Sequence, residues 1–254
     1  MKICHLTSVH TQEDIRIFHK ECVTLAKAGY DTYQVSCGSC YQKNGVHLIG
    51  VGEAEKKRLK RVCVFAKKVY RKAKVLDADI YHLHDPELLP YGLKLKKAGK
   101  TVFFDSHEDI PAQIMDKTWI PILFRRIISK LYVKYETHAV KRLDAVVAAT
   151  PYIAGKFEAR APKVITVNNY PKLDDIVYHE SPLSGRESIV CYAGGISDAR
   201  GEGIMIKAMK EVEGELLLAG DHEKLCTGNV RYLGKLDREG VNQLYAKAVV
   251  GLCV

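Results

Sequence analysis

Two short clusters hold the residue types that form an active-site edge: His82-Leu83-His84-Asp85 and Asp105-Ser106-His107-Glu108-Asp109. In an extended strand His82 and His84 share a face, so with Asp85 and His107 they could hold one ion in a metal-dependent hydrolase. Helix capping is the plainer reading of the carboxylates. Asp and Ser are common N-caps, and Asp85 stands before Pro86 at a first helical position. Capping gives no reason for three histidines in the two clusters.

The elements around them say where such an edge would lie. Ala78 to Pro111 reads strand, helix, strand, and each strand ends in one cluster. In an open parallel sheet, ligands bind in the crevice beyond the carboxyl ends of the strands. The opening strand Lys2 to Ser8 ends in the loop His10 to Arg16, followed by a helix with Phe18, Cys22, Val23, Leu25 and Ala26 on its apolar side and Gly29 as its stop. Asp31 to Ser36 and Val46 to Val51 read as further strands. This βαβ opening lacks the G-x-G-x-x-G of a dinucleotide site, which argues against a Rossmann oxidoreductase. Asp144 to Thr150 has the continuous apolar character of a buried parallel strand.

With 254 residues, 47% of them hydrophobic, the chain can bury one large core or two small ones. Its longest apolar runs fall short of the roughly 20 residues a membrane span needs. The first residues lack the apolar region of a signal peptide, so a cytoplasmic location with eight reduced cysteines is expected. Cys37-Gly38-Ser39-Cys40 spells a C-x-x-C, but without a second pair, and it follows a strand rather than opening a helix.

The net charge of +9 is unevenly spread, +12 over residues 1–170 and −3 over 171–254. The first part is therefore expected to face something anionic. Glu55 to Lys74 carries ten Lys and Arg around Val62, Phe65, Ala66 and Val69 at helical spacing. Either it is an ordinary surface helix or its cationic face meets anionic lipid, at about 1 kcal/mol per basic residue. Thr118 to Tyr132 is again apolar and basic, with Trp119 near its start, and suits the membrane interface or the sheet surface. No recognition-helix or stacking-platform pattern points to nucleic acid.

Pro171 to Glu187 is polar and aperiodic, and reads as a linker. Residues 1–170 and 188–254 are the expected domains. The second opens with a strand, then Gly194-Gly195, Arg200 and a helix. Glycines let backbone approach a ligand closely, and Arg offers fork geometry to a diphosphate. Further strands are expected at Glu215–Gly220, Val230–Gly234 and Val249–Val254, and a helix at Asp237–Lys247.

The order H-T-x-E-D-x-R-I-F-x-K-E from His10, H-x-H-D-P-E-L-L-P from His82, F-D-x-H-E-D from Phe104 and A-G-G-I-S-x-x-R-G from Ala193 resembles bacterial family 4 glycosyltransferases. Many of these build capsular or lipopolysaccharide units. The resemblance runs through essentially the whole chain. It implies an α/β protein of GT-B fold: two Rossmann-like domains with parallel sheets, the first binding acceptor and the second sugar nucleotide, with the reaction between them. By the same resemblance His107 lines the catalytic cleft, with Asp85 and Glu108 beside it. Arg200 holds the donor diphosphate above Gly194-Gly195, and His10, Asp14 and Arg16 lie in a loop facing donor and acceptor. Fixed positive charge and N–H donors suit a departing nucleoside diphosphate, so no metal or other cofactor is expected. The implied partners are a nucleotide-sugar donor and a lipid-linked or saccharide acceptor, and the two apolar and basic segments add an anionic membrane surface at the inner face of the plasma membrane. The family's E-x7-E element and a second glycine-rich loop would fall beyond Val254. The resemblance therefore implies a truncated second domain and little or no transfer by this chain alone, with a non-catalytic remnant that still binds membrane or acceptor as a further alternative beside the metal-dependent hydrolase.

Overall fold

The computed structural model describes residues 1–173, 182–221 and 228–253, and divides the chain into two units, Met1–Tyr170 and Pro171–Val254. Residues 174–181 of the expected linker lie outside the described residues. Strand β9 already begins at Glu187.

In the first unit the strands are β1 (Lys2–Leu6), β2 (Asp31–Ser36), β3 (Tyr41–Lys43), β4 (Val46–Gly50), β5 (Ile80–Leu83), β6 (Thr101–Ser106), β7 (Ala145–Ala148) and β8 (Val164–Thr166). They form one sheet in the order β3-β4-β2-β1-β5-β6-β7-β8, parallel except for β3. The order runs outward from β1 on one side and from β5 on the other. The switch point therefore lies between β1 and β5, where open α/β sheets place their ligands. Leu6, Leu83, Val102, Val146 and Ala148 are fully buried or nearly so, as expected where helices cover a parallel sheet.

Tyr41–Lys43 was not expected as a strand. It turns back onto β4 through Asn44 and Gly45, both at positive φ, the backbone a two-residue hairpin demands. The helix after β1 is also wound differently from a plain α-helix. Ile15–Cys22 is π-helical and Val23–Lys27 is α-helical. Phe18, Cys22 and Val23 are buried, as the apolar spacing requires. Arg58–Lys60, Arg61–Phe65 and Ala66–Val75 follow one another as α, π and α turns. Phe65, Ala66 and Val69 pack inward and Val62 stays exposed.

The second unit has β9 (Glu187–Ala193), β10 (Glu215–Ala219), β11 (Val230–Gly234) and β12 (Ala248–Gly251), ordered β11-β10-β9-β12 and all parallel. Its own core gathers Tyr192, Met205, Leu216, Leu218 and Val230. The loop leaving β9 stands at this sheet's switch point.

Candidate functional site

A cavity of about 450 Å³ opens beyond the carboxyl ends of β1, β5 and β6. His10, Asp85, His107 and Glu108 line it, so four expected site residues share one chamber. Asp85 is placed by the first βα loop. Its Oδ2 accepts from Thr7 Oγ1 at 2.8 Å and from Ser8 N at 2.6 Å. It stands at the helix entry before Pro86, yet its side chain caps nothing there. Burial pushes its pKa up, against the pull of His10, the Ser8 N–H and the Thr7 hydroxyl.

His10 bridges two carboxylates, with Nδ1 3.3 Å from Asp14 Oδ2 and Nε2 3.6 Å from Asp85 Oδ1. The hydrogen bond with Asp14 raises its pKa in spite of burial, which favours the doubly protonated ring. Asp14 also caps the following helix, accepting from Arg16 N and Ile17 N. Burial opposes ionisation of Asp14, but His10 and these N–H groups bring it down to about 2. The His107 ring lies edge-on to His10, centroids 5.1 Å apart, and its side chain keeps 20% exposure. Its Nδ1 is buried without a hydrogen-bond partner among the described residues. Glu108 is exposed at the rim. Asp109 does cap, accepting from Ala112 N and pairing with Lys156, so capping accounts for that member of the cluster.

Arg16 is placed inward. Its Nε and Nη2 each lie 2.8 Å from an oxygen of Asp105, and Nη1 donates to the Val167 carbonyl at 3.0 Å. Burial opposes ionisation of Asp105, but His84 and Arg16 hold it well below the usual carboxylate range. Arg16 thus fixes the floor of the first loop rather than its rim.

The proposed hydrolase set does not assemble. His82 and His84 turn to one face of the sheet with His5 and Glu21, whereas Asp85 faces the β1 loop and His107 faces His10. Strand alternation separates neighbours of one motif.

The cavity's far wall comes from a helix, Ile122–Val140, through Tyr132, Tyr135 and Glu136. Glu136 is buried, paired with Arg160 Nη2 at 2.9 Å and accepting from Tyr132 Oη at 3.1 Å. Burial raises its pKa against the pull of Arg160. Sequence reading missed these three, since nothing but amphipathic spacing marks that segment. The same helix leaves Ile122, Leu123, Phe124, Ile127 and Leu131 exposed, and Trp119 just before it is 78% exposed. Arg126, Lys130 and Lys134 share that outer surface.

In the second unit Gly194, Gly195 and Arg200 occupy the exposed loop between β9 and the helix Glu202–Ala208. Gly194 N donates to the Ala219 carbonyl at 2.9 Å, and Tyr192 Oη to the Gly195 carbonyl at 3.0 Å. A Cβ at Gly220 would strike the Gly194 carbonyl, so the two loops need glycine where they touch.

The architecture is that of GT-B glycosyltransferases. A sucrose-phosphate synthase from Thermosynechococcus elongatus superposes with TM-score 0.74 at 15% identity, over 98% of this chain and 74% of that one. Anabaena HepE, in complex with UDP-glucose, gives 0.67 at 15% identity over 98% and 72%. WaaG, a glycosyltransferase involved in lipopolysaccharide biosynthesis, gives 0.67 at 14% identity over 98% and 73%. The model of glycosyltransferase family 4 matches residues 17–169, and the chain belongs to that family of transferase enzymes. No curated protein sequence matches it.

Proposed function

We propose that this chain transfers a sugar from a nucleotide-sugar donor to a lipid-linked or saccharide acceptor in cell-surface polysaccharide synthesis. The observation that carries the reading is the cavity at the β1/β5 switch point. It joins a cationic imidazole at His10, a second imidazole at His107, carboxylates and two tyrosines, groups that suit sugar hydroxyls. His107 donates a hydrogen bond at the transferred sugar, while Asp85 and Glu108 accept from acceptor hydroxyls. On the second unit, Arg200 and the Gly194-Gly195 loop are assigned to the donor diphosphate, supplying positive charge where negative charge develops. Donor binding is supported by Anabaena HepE, described in complex with UDP-glucose, and the cell-surface role by WaaG.

The acceptor's lipid gives the outer surface of the helix Ile122–Val140 a purpose. No helix among the described residues is long and apolar enough to cross a membrane. Apolar side chains interleaved with Arg126, Lys130 and Lys134 suit the interface of an anionic bilayer, with Lys67, Lys68, Arg71 and Lys72 adding exposed charge. We assign the chain to the inner face of the plasma membrane on that ground.

The test titrates short saccharides and lipid-linked acceptors into the protein and follows label from radioactive nucleotide sugars into the lipid phase. Saturable acceptor binding, weakened about tenfold or more by His107→Ala, supports the reading. Equal acceptor binding by the variant, or no saturable binding by the wild type, would sink it.

A further inference from the structure

The sheet face beneath the π-helical turn carries a buried group of side chains to which the proposed transfer gives no role, although His84 also borders the cavity. His5 stands opposite His82 in the β1–β5 register, and His84 follows two residues on, so three imidazoles leave one face. Glu21 reaches them from the turn Ile15–Cys22. Its Oε2 lies 3.7 Å from His5 Nδ1, 3.7 Å from His82 Nδ1 and 3.7 Å from His84 Nε2. The ligand atoms of all four residues fall within 4.8 Å of one another. A tetrahedral ion with bonds of about 2.1 Å spaces its ligands by about 3.4 Å. Glu21 Oε2 stands near that spacing from all three imidazole nitrogens, while His5 Nδ1 and His84 Nε2 are closer, at 2.9 Å, and would part slightly around an ion.

Two further observations favour a cation over a hydrogen-bonded core. Both Glu21 oxygens are out of solvent and accept no hydrogen bond among the described residues, with Arg16 Nε approaching Oε1 at 3.2 Å. His84 is already oriented as a ligand. Its Nδ1 lies 3.1 Å from Asp105 Oδ2, and the Arg16 fork keeps that carboxylate an acceptor. The proton therefore sits on Nδ1, and Nε2 presents its lone pair to His5 and Glu21. A carboxylate on the far nitrogen is the usual support of a metal-bound histidine. A proton on His5 Nδ1 would make the 2.9 Å approach to His84 Nε2 a hydrogen bond, but it would leave Glu21 Oε2 without a donor, with only Oε1 facing the Arg16 guanidinium at 3.2 Å.

We propose that His5, His82, His84 and Glu21 bind one divalent transition ion, zinc by donor type, in a closed site that fastens the Glu21 turn to β1 and β5. Four protein ligands leave no open position, so the ion is structural and does no hydrolysis. Nothing in this assignment depends on sugar transfer.

The test uses the full chain, purified without a histidine tag from zinc-supplemented culture, with metal measured by mass spectrometry. One zinc per chain is expected, falling about tenfold or more in Glu21→Gln and in His82→Ala. The chelated protein should take up one equivalent of Co(II) and show the visible absorption of a tetrahedral ion. Should His82→Ala fail to fold, the conservative Glu21→Gln variant and the Co(II) titration of folded wild-type protein decide the matter. Folded wild-type protein that neither retains zinc nor takes up Co(II) overturns the site. So does full metal retention by a folded Glu21→Gln variant. Loss of the metal in Cys37→Ser/Cys40→Ser would place it at the C-x-x-C and overturn the site equally.

Discussion

The chamber around His10 and the group around His5 lie side by side on the same three strands, and one motif feeds both. His82 and His84 turn inward to a region where every ring is buried, with His84 and Asp105 also forming part of the cavity's floor, while Asp85, one residue on, turns to the loop that lines the open cavity. The inner region is rigid by construction: a bidentate ion pair, a locked tautomer and a π-helical turn that brings Arg16 and Glu21, five residues apart, onto successive turns. The outer region keeps partial exposure and, at His107, a buried nitrogen with no hydrogen-bond partner among the described residues. Position along a strand, more than residue type, separates what holds the molecule together from what meets a ligand.

Asp105→Ala should break the contrast most severely. It strips the Arg16 fork and His84 of their common acceptor, leaving a buried cation with only Glu21 beside it, and should cost about 3–5 kcal/mol in chemical denaturation. A loss below about 1 kcal/mol would mean the inner group is no scaffold. His107→Ala is the opposite case. It should weaken acceptor binding by about tenfold or more through a lost hydrogen bond while costing under about 1 kcal/mol of stability. If the stability loss dominated, His107 would belong with the inner group.

The helix Ile122–Val140 repeats the contrast across its two sides, Tyr132 and Glu136 inward and Leu123 and Phe124 outward. Burying the last two in lipid is worth about 1.5–3 kcal/mol each. Leu123→Ser/Phe124→Ser should therefore reduce co-sedimentation with anionic vesicles by roughly tenfold or more, leaving the cavity's saccharide affinity unchanged. Unchanged sedimentation would remove the membrane assignment.

Much of the scaffold was legible. The parallel strands at Lys2, Asp31, Ile80, Thr101 and Ala145 follow from apolar runs with polar ends, and the rim clusters mark the edge on which the cavity sits. The hairpin at Asn44-Gly45 carried its own turn signal and was overlooked beside the C-x-x-C. The inner group was not legible in full. His82 and His84 announce a shared face, but their companions His5 and Glu21 arrive through sheet register and a π-helical turn, 79 positions separating His5 from His84. Amphipathic spacing equally could not say whether Tyr132 faced a cavity or a membrane.

The smallest effect tests whether the outer region is itself held by charge. His10 is raised above its ordinary 6.5, chiefly by its hydrogen bond to Asp14. Asp14 falls from 3.8 to about 2, against burial, because His10 and two backbone N–H groups favour its charge. A raised histidine stabilises the fold fully below 6.5 and loses that contribution as pH rises through its folded value. A lowered carboxylate contributes above 3.8 and loses it as pH falls towards about 2. The two conditions overlap between about pH 4 and the raised His10 value. A double-mutant cycle with His10→Asn and Asp14→Asn should give about 1 kcal/mol of coupling inside that window, fading on both sides. Coupling that ignores pH would show that packing, not the ion pair, holds the rim, and the outer chamber would then be built on the same terms as the inner one.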